Sequence, residues 1–299
     1  MSAIEAIRTP DSRFSNLPGY DFAPHYVDVD GLRVHYLDEG PADGATVLLL
    51  HGEPSWSYLY RKMIPPLRDA GFRVIAPDLI GFGKSDKPVR KSDYSYAGHV
   101  SWMRQFITAL DLNDITLFCQ DWGALIGLRV AAENEHRFAR VAIGNGAMPT
   151  GDENFPRAFK IWRAFALWSP WFPIGRIVQS GTVSKLSKDE VAAYDAPFPA
   201  AKYKAGTRVF PQLVPTEPDD PASDDNRRAW DALSQWEKPF LTTFSNRDPI
   251  TRGGWRPFQD RIPGARNQKH VNIRNAGHFL QEDKGEELAE VLVSFIENT

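Results

Sequence analysis

Asp121 lies at the junction between an apolar run and a helix-compatible segment, in the sequence FCQDWGALIGL. A sharp strand-to-helix turn of this kind exposes a nucleophile at the edge of a sheet. The crowded backbones of such a turn need small residues two positions before and after it, where Cys119 and Gly123 stand. A helix N-terminus also favours an ionised carboxylate, which can attack carbon without a base. The pattern predicts a nucleophilic aspartate, although an aspartate at a helix start more often serves only as an N-cap.

A second motif, HGEPSWSYLYRKMIPPL, directly follows the apolar run TVLLL. When a nucleophile sits on such a turn, one backbone N–H of the oxyanion hole comes from the next residue, and the other comes from a loop after an earlier strand. We therefore expect the N–H groups of Glu53 and Trp122 to be the two donors. HGEP alone would also fit an ordinary strand-to-helix turn, but the Asp121 motif downstream favours the functional interpretation.

The acid and the histidine of a catalytic triad should follow later, in that order and each just beyond a strand. Asp248 follows PFLTTFS in the segment SNRDPI, and His278 follows HVNIR in RNAGHFLQED. Arg-Asp-Pro is also good turn chemistry, and an isolated histidine is more often structural. Four motifs in the correct order nevertheless predict a triad of Asp121, Asp248 and His278.

The elements that must position these residues alternate along the chain. Asp30-Gly31 joins two alternating segments as a predicted hairpin. Apolar, β-branched runs predict buried strands at residues 46–51, 73–78, 115–120, 140–145, 239–245 and 270–274. Helix-sized segments cover residues 58–70, 96–110, 122–135, 227–236 and 285–297. This alternation predicts an α/β-hydrolase fold, with a mostly parallel eight-stranded sheet flanked by helices.

One interval between the predicted strands is different. Residues 149–214 contain amphipathic, aromatic segments such as FPRAFKIWRAFALWSPWFP and no convincing strand. We interpret them as a helical cap inserted over the open end of the sheet. The main domain then comprises residues 1–148 and 215–299, and the proline-rich, acidic stretch at 211–225 is expected to form a surface connection.

Composition excludes several classes of partner. The chain has 299 residues, a formal net charge of −3 and 42% hydrophobic residues, which is typical of a folded globular protein. Without a basic surface field, binding to nucleic acid or to an anionic membrane is not expected. The single cysteine, Cys119, and the start MSAIEAIRTP, which lacks a signal-peptide pattern, predict a cytoplasmic location. We expect a monomer.

These motifs resemble the haloalkane dehalogenases, in the branch with HGEP and QDWG motifs and with the catalytic acid after the seventh strand. The resemblance extends over nearly the whole chain, from HYLDEG through APDLIGFGKSD to GHFLQED. It implies that Asp121 forms an alkyl ester with a small halogenated alkane, and that water activated by His278 hydrolyses this ester with Asp248 orienting the imidazole. It further implies that the Trp122 indole binds the halide product and that Glu53 helps to position the water. This chemistry requires no metal and no organic cofactor.

In this branch a second halide-binding tryptophan comes from the cap, where Trp162, Trp168 and Trp171 are available. If Phe155 to Ala166 forms a helix, Trp162 falls on one apolar stripe with Phe155, Phe159 and Ala166. Trp168 points away from that stripe, and Trp171 follows Pro170, where the helix should have ended. We therefore predict that Trp162 completes the halide site, although such a stripe could also serve only to pack the cap.

Three other functions fit parts of the pattern. An epoxide hydrolase would use the same aspartate but would need an acid, such as the cap residues Tyr194 or Tyr203, to protonate an alkoxide. Glu53 beside Trp122 favours a halide instead. A non-catalytic receptor on this scaffold would be expected to lose a triad member, and a serine esterase would need serine at position 121.

Overall fold

A computed structural model describes residues 4–299 of the chain. The strands, in chain order, are β1 (Ala6–Ile7), β2 (His25–Val29), β3 (Leu32–Glu39), β4 (Thr46–Leu50), β5 (Arg73–Pro77), β6 (Lys87–Pro88), β7 (Ile115–Gln120), β8 (Phe138–Gly144), β9 (Phe240–Ser245) and β10 (Val271–Ile273). The α-helices are α1 (Ile64–Asp69), α2 (Tyr96–Ala109), α3 (Trp122–Glu133), α4 (Arg157–Trp168), α5 (Ile174–Ser180), α6 (Lys188–Asp195), α7 (Ala205–Leu213), α8 (Ser223–Leu233), α9 (Arg256–Arg261) and α10 (Leu280–Glu297).

The main sheet has eight strands in the order β10-β9-β8-β7-β4-β5-β3-β2, and β1 pairs with β6 in a separate ribbon. The pairs from β10 to β5 are parallel, whereas β3 runs antiparallel to both β5 and β2. Asp30 and Gly31 join β2 to β3 with φ angles of 55° and 78°, as the predicted hairpin turn requires. The predicted fold class and the mostly parallel eight-stranded sheet are confirmed.

The central strands have continuously apolar sequences, which is typical of strands that are covered by helices on both faces of the sheet. Every residue of β4, β7 and β9 is buried, as expected for parallel strands covered on both sides. The carboxyl ends of parallel strands meet at one edge of the sheet, so the loops after β4, β7, β9 and β10 lie close together. These four loops carry the chemically interesting side chains.

The interval between β8 and β9 contains helices and, within the described residues, no strand. Its details correct two predictions, and a third correction lies elsewhere in the chain. Helix α4 begins at Arg157 rather than Phe155, because Pro156 restrains the residue before it to extended backbone. Helix α7 continues through Pro211 to Leu213, and α8 already begins at Ser223, so the predicted connection at 211–225 is shorter.

The third correction concerns the predicted helix at 58–70. The chain there forms a 3₁₀ turn over Ser57–Tyr60 and then α1 from Ile64, since Pro65 and Pro66 are accommodated only in a first helical turn. Within residues 4–299, no helix combines the length and the apolarity needed to cross a bilayer.

Candidate active site

Asp121 occupies a strained turn between β7 and α3. Its φ of 51° and ψ of −127° lie outside the usual regions for a residue with a side chain, and such strain is concentrated at functional sites. The turn depends on close backbone contact, because a Cβ on Gly123 would lie 2.0 Å from the Leu50 carbonyl oxygen. Gly52 is similarly constrained, since a Cβ there would lie 2.2 Å from Asp121 Oδ1. The Asp121 carboxylate therefore rests directly on the loop after β4.

The backbone N–H of Glu53 donates a hydrogen bond of 2.7 Å to Asp121 Oδ1. This is one of the two predicted oxyanion donors, and it points at the carboxylate that would become the ester. The other predicted donor belongs to Trp122, which is the first residue of α3 and is buried. The loop after β4 and the start of α3 thus converge on the same carboxylate.

His278 lies between two aspartates. Its Nε2 atom is 3.4 Å from Asp121 Oδ2, and its Nδ1 atom is 2.9 Å from Asp248 Oδ2. Asp248 is buried and is held in place by the backbone N–H of Ile250 at 2.8 Å and by the Thr251 hydroxyl. The structure therefore brings together the three residues that the sequence predicted as a triad, with Asp248 fixing a proton on Nδ1.

The two carboxylates control the charge of His278. Burial by itself lowers the pKa of the imidazole, but the charge of Asp248 and the hydrogen bond to Asp121 outweigh burial and raise that pKa to about 10. Burial correspondingly raises the pKa of Asp248, but the charge of His278 more than offsets this effect and holds the pKa below its usual range. At neutral pH the group between the aspartates is an imidazolium.

Glu53 behaves differently from the other carboxyl groups of the site. Burial, followed by the negative charge of Asp121, raises its pKa well above the usual range, which favours the protonated, uncharged form of its side chain. Its Oε1 atom is buried and has no hydrogen-bond partner among the described residues. Glu53 can therefore donate a hydrogen bond to a small molecule in the site or accept one from it.

Two amide side chains that sequence reasoning missed hold the histidine loop. Gln120 Nε2 lies 3.2 Å from both the carbonyl oxygen and Nε2 of His278. Asn145 Nδ2 donates to Ser245 Oγ at 2.8 Å and to the carbonyl oxygens of Gly277 and His278 at 2.8 and 3.0 Å. Asn145 joins the ends of β8 and β9 to the loop after β10. We regard it as a positioning residue.

The site faces a cavity of about 880 Å³ whose wall includes Glu53, Asp121, Trp122, His278 and, from α4, Trp162. Among the tryptophan indole N–H groups, those of Trp56 and Trp230 donate to backbone carbonyls, and that of Trp236 is buried without a partner among the described residues. Those of Trp122 and Trp162 have no such partner among the described residues.

The other candidates from the cap lie elsewhere. Trp168 and Trp171 are 81% and 60% exposed and are not part of the cavity wall. Tyr194 is fully buried and donates its hydroxyl to Glu282, and neither it nor Tyr203 belongs to the wall. Of the cap tryptophans and tyrosines considered from the sequence, only Trp162 belongs to the cavity wall.

Comparisons with known proteins agree with this geometry. The family model described as alpha/beta hydrolase fold matches residues 45–285. The haloalkane dehalogenases of Psychrobacter cryohalolentis and Mycobacterium marinum are 60% and 58% identical to this chain, covering 98% of it and 98% and 100% of their own lengths. The solved structure of a tetrameric haloalkane dehalogenase from Paraglaciecola agarilytica superposes with a TM-score of 0.90 at 40% identity, over 96% of this chain and 97% of that one.

Proposed function

The chain belongs to the haloalkane dehalogenases, and from this premise we propose that Asp121, His278 and Asp248 perform its hydrolytic reaction in two steps. In the first step an Asp121 oxygen attacks the halogen-bearing carbon, a carbon–oxygen bond forms, and the carbon–halogen bond breaks as halide departs. The observation that carries this proposal is the position of Asp121, strained on its turn, facing the cavity and only 3.4 Å from His278.

The departing halide needs hydrogen-bond donors that remain available in a cavity without bulk water. We assign this role to the indole N–H groups of Trp122 and Trp162, since both side chains belong to the cavity wall. An indole offers one N–H donor and no acceptor. It therefore suits a spherical anion and leaves the attacking carboxylate undisturbed.

In the second step water hydrolyses the alkyl ester on Asp121. Once the ester has formed, Asp121 no longer carries a negative charge, so the imidazolium loses one of its two stabilising partners and can release to solvent the proton that is a product of the overall reaction. His278 Nε2 then takes a proton from water, and the resulting hydroxide attacks the ester carbonyl. The backbone N–H groups of Glu53 and Trp122 stabilise the oxyanion, while Asp248 stabilises the imidazolium that forms again.

The Glu53 side chain is assigned to the hydrolytic water. Burial favours its uncharged form and its Oε1 atom is buried and unpartnered, so in that form it can hold the water by a hydrogen bond without adding a second negative charge beside Asp121. An ionised glutamate would instead repel the attacking carboxylate.

The organisation of the chain is part of the same proposal. Residues 149–214 form the cap, and residues 1–148 and 215–299 form the main domain; the support is that α4 contributes Trp162 and Phe159 to the cavity wall, to which Phe155, just before this helix, also belongs. We also propose a cytoplasmic location and a monomeric enzyme. The single cysteine, Cys119, is buried beneath the Asp121 turn, which suits a reducing compartment.

Epoxide hydrolysis remains the alternative reaction for an aspartate nucleophile, and the positions of the cap tyrosines oppose it. An alkoxide leaving group needs an acid within hydrogen-bond distance, yet Tyr194 and Tyr203 lie outside the cavity wall. A halide leaving group needs no proton. Bromide release from a short terminal bromoalkane, measured beside the opening of styrene oxide, separates the two reactions, and we expect bromoalkanes to react faster than chloroalkanes of equal length.

Replacing His278 by phenylalanine tests the two-step mechanism directly. The first step does not need the base, so His278→Phe is expected to accumulate an alkyl adduct on Asp121 when it is incubated with a bromoalkane. Intact-protein mass spectrometry and peptide mapping measure the adduct. Asp121→Asn combined with His278→Phe should gain no mass, and His136→Phe, at an exposed histidine, should turn over like the wild type. An unmodified His278→Phe protein beside an active wild type would contradict the mechanism.

A further inference from the structure

The loop after β9 and helix α9 line one part of the cavity with an unusual set of side chains. Four arginines belong to the cavity wall here: Arg247, Arg252, Arg256 and Arg261. All four are exposed, so this part of the cavity wall meets solvent. We call these four residues the arginine rim.

The rim is not neutralised by the protein. Among the described residues, none of the four guanidinium groups lies within 4.0 Å of a carboxylate oxygen, whereas Arg61, Arg73 and Arg129 elsewhere all form ion pairs. Two of the rim side chains are braced by aromatic rings instead: Arg261 stacks over Trp230 at 4.2 Å, and Arg256 over Trp255 at 5.4 Å. Their planar donor groups therefore remain available to a ligand.

The acidic groups of the wall do not cancel this charge. Burial favours the uncharged form of Glu53, and Asp121 faces His278. The other acidic wall residues are Asp260 and Glu153, whose carboxylate accepts hydrogen bonds from the backbone N–H groups of Thr150 and Gly151 at 3.0 and 3.1 Å, so these two carboxylates stand beside four cations. A chain with a net charge of −3 thus places a local excess of positive charge at the opening of its substrate cavity.

From this arrangement we propose that the preferred substrates are haloalkanes whose other end carries an anionic oxygen group, with a carboxylate as the simplest case. Resting on the proposed function, this inference places the halogenated end between Trp122 and Trp162 and the carboxylate on the arginine rim. A guanidinium fork matches the two oxygens of a carboxylate, and a cavity with low-dielectric walls focuses the field that attracts the anion. The bonds that form and break are unchanged, and the product is a hydroxyalkanoate.

Matched substrate pairs test this specificity. We propose to measure bromide release from ω-bromoalkanoates of increasing chain length and from their methyl esters, which keep the shape and remove the charge. At low ionic strength kcat/KM should favour the carboxylate by about 10-fold or more at the chain length that spans the cavity, as electrostatic attraction of this kind allows. The advantage should reside mainly in KM and should decline as sodium chloride screens the rim, with the ester in the same salt as reference.

The matched variants remove three charges each. Arg252→Gln, Arg256→Gln and Arg261→Gln together should reduce the carboxylate-to-ester ratio of kcat/KM to near parity. Arg104→Gln, Arg266→Gln and Arg274→Gln change the net charge equally at exposed positions outside the cavity wall, and should leave that ratio as in the wild type. Arg247 is left unchanged because it adjoins Asp248.

Three results would overturn the inference. The first is a wild-type ratio at or below parity at every chain length, and the second is a rim variant that retains the wild-type ratio. The third is an equal loss of kcat on ester and carboxylate in the rim variant, which would assign the arginines to halide release instead. Absence of bromide release from esters and carboxylates alike would overturn the proposed function itself.

Discussion

In the proposed mechanism His278 holds a proton at one stage of the reaction and accepts one at another. In the free enzyme it lies between Asp121 and Asp248, and their charges keep it protonated. Alkylation of Asp121 removes one of these charges at the moment when a base becomes necessary. In that mechanism the nucleophile regulates the base, and burial favours the uncharged form of the remaining carboxyl group nearby, Glu53.

This coupling predicts the titration of His278. In the wild type its pKa lies at about 10, and in Asp121→Asn, which mimics the uncharged ester, we expect a lower pKa because both the hydrogen bond and the charge of Asp121 are lost. NMR titration of isotopically labelled histidine measures the two values, and Asp231→Asn, at an exposed aspartate outside the cavity wall, serves as control. Equal values in the wild type and Asp121→Asn would refute the coupling.

The same coupling predicts how the stability of the fold changes with pH. A histidine whose pKa is raised by folding stabilises the folded state. This contribution is complete at pH values below 6.5, the pKa of histidine in the unfolded chain, and it is lost as the pH rises through about 10. The alkaline decline in stability should therefore be steeper in the wild type than in Asp121→Asn.

Trp162 provides a second prediction at the level of one residue. Trp162→Phe keeps most of the shape of the side chain and removes its N–H, so bromide binding should weaken by about 1.5–3 kcal/mol, the usual contribution of a hydrogen bond to a charged group. Quenching of tryptophan fluorescence by bromide measures the affinity, and halide release measures turnover, which should also fall. The melting temperature should change little.

Trp168→Phe is the matched control, because that side chain is 81% exposed and lies outside the cavity wall. It should bind bromide as the wild type does. If Trp162→Phe retained full affinity for bromide while Trp168→Phe or Trp171→Phe lost it, the assignment of Trp162 as the halide donor of the cap would be wrong. The proposed triad would not be affected by that result.

At the scale of elements, the site depends on how closely α3 and β4 approach each other. A Cβ on Gly123 would lie 2.0 Å from a backbone oxygen of Leu50, and backbone cannot rotate away as a side chain can. Gly123→Ala should therefore destabilise the protein by about 1–3 kcal/mol, as overpacking does, and should lower activity by displacing Asp121.

Gly127→Ala, one turn further along α3, is the control for this substitution. Its Cβ would meet only side-chain atoms of Leu117 and Leu50 at 3.1 Å, and alanine is the better helix former. Urea unfolding compares the two variants. A Gly123→Ala protein as stable and as active as Gly127→Ala would show that the turn tolerates a wider separation.

The sequence was sufficient to predict the strands and their order along the chain, because buried parallel strands are short, apolar and separated by helix-sized segments. It also predicted Asp121, Asp248 and His278, since each follows a strand whose carboxyl end lies at the same edge of the sheet. The apolar periodicity placed the start of α4 at Phe155, but the helix begins at Arg157 because Pro156 disfavours helical backbone at the residue before it.

Other features of the site have no local pattern. Gln120 and Asn145 act on His278, which is more than a hundred residues away along the chain, and an amide beside a strand end is unremarkable in sequence. The arginine rim is likewise visible only in three dimensions, because unpaired charges can be recognised only when every neighbouring carboxylate is placed.

At the scale of the whole molecule, the outer face of the cap is the surface from which we argue the expected oligomeric state. Ile161, Trp168 and Trp171 are 59%, 81% and 60% exposed there, and an apolar surface of this kind can serve as an interface. The basic residues of α4, however, are Arg157, Lys160 and Arg163, and the helix has no acidic residue. In a twofold contact the same surface meets itself, so like charges would face each other and oppose association.

We therefore expect a monomer of 33.7 kDa, although the relative from Paraglaciecola agarilytica is described as a tetramer. Multi-angle light scattering over a wide range of protein concentration and of salt measures the mass. Salt is informative because it screens the repulsion between the basic helices and would favour association if the apolar surface could drive it. A mass of twice or four times the chain at low salt would contradict the prediction. Trp168→Ser together with Trp171→Ser would then show, by restoring or failing to restore the monomer, whether the cap face forms the interface.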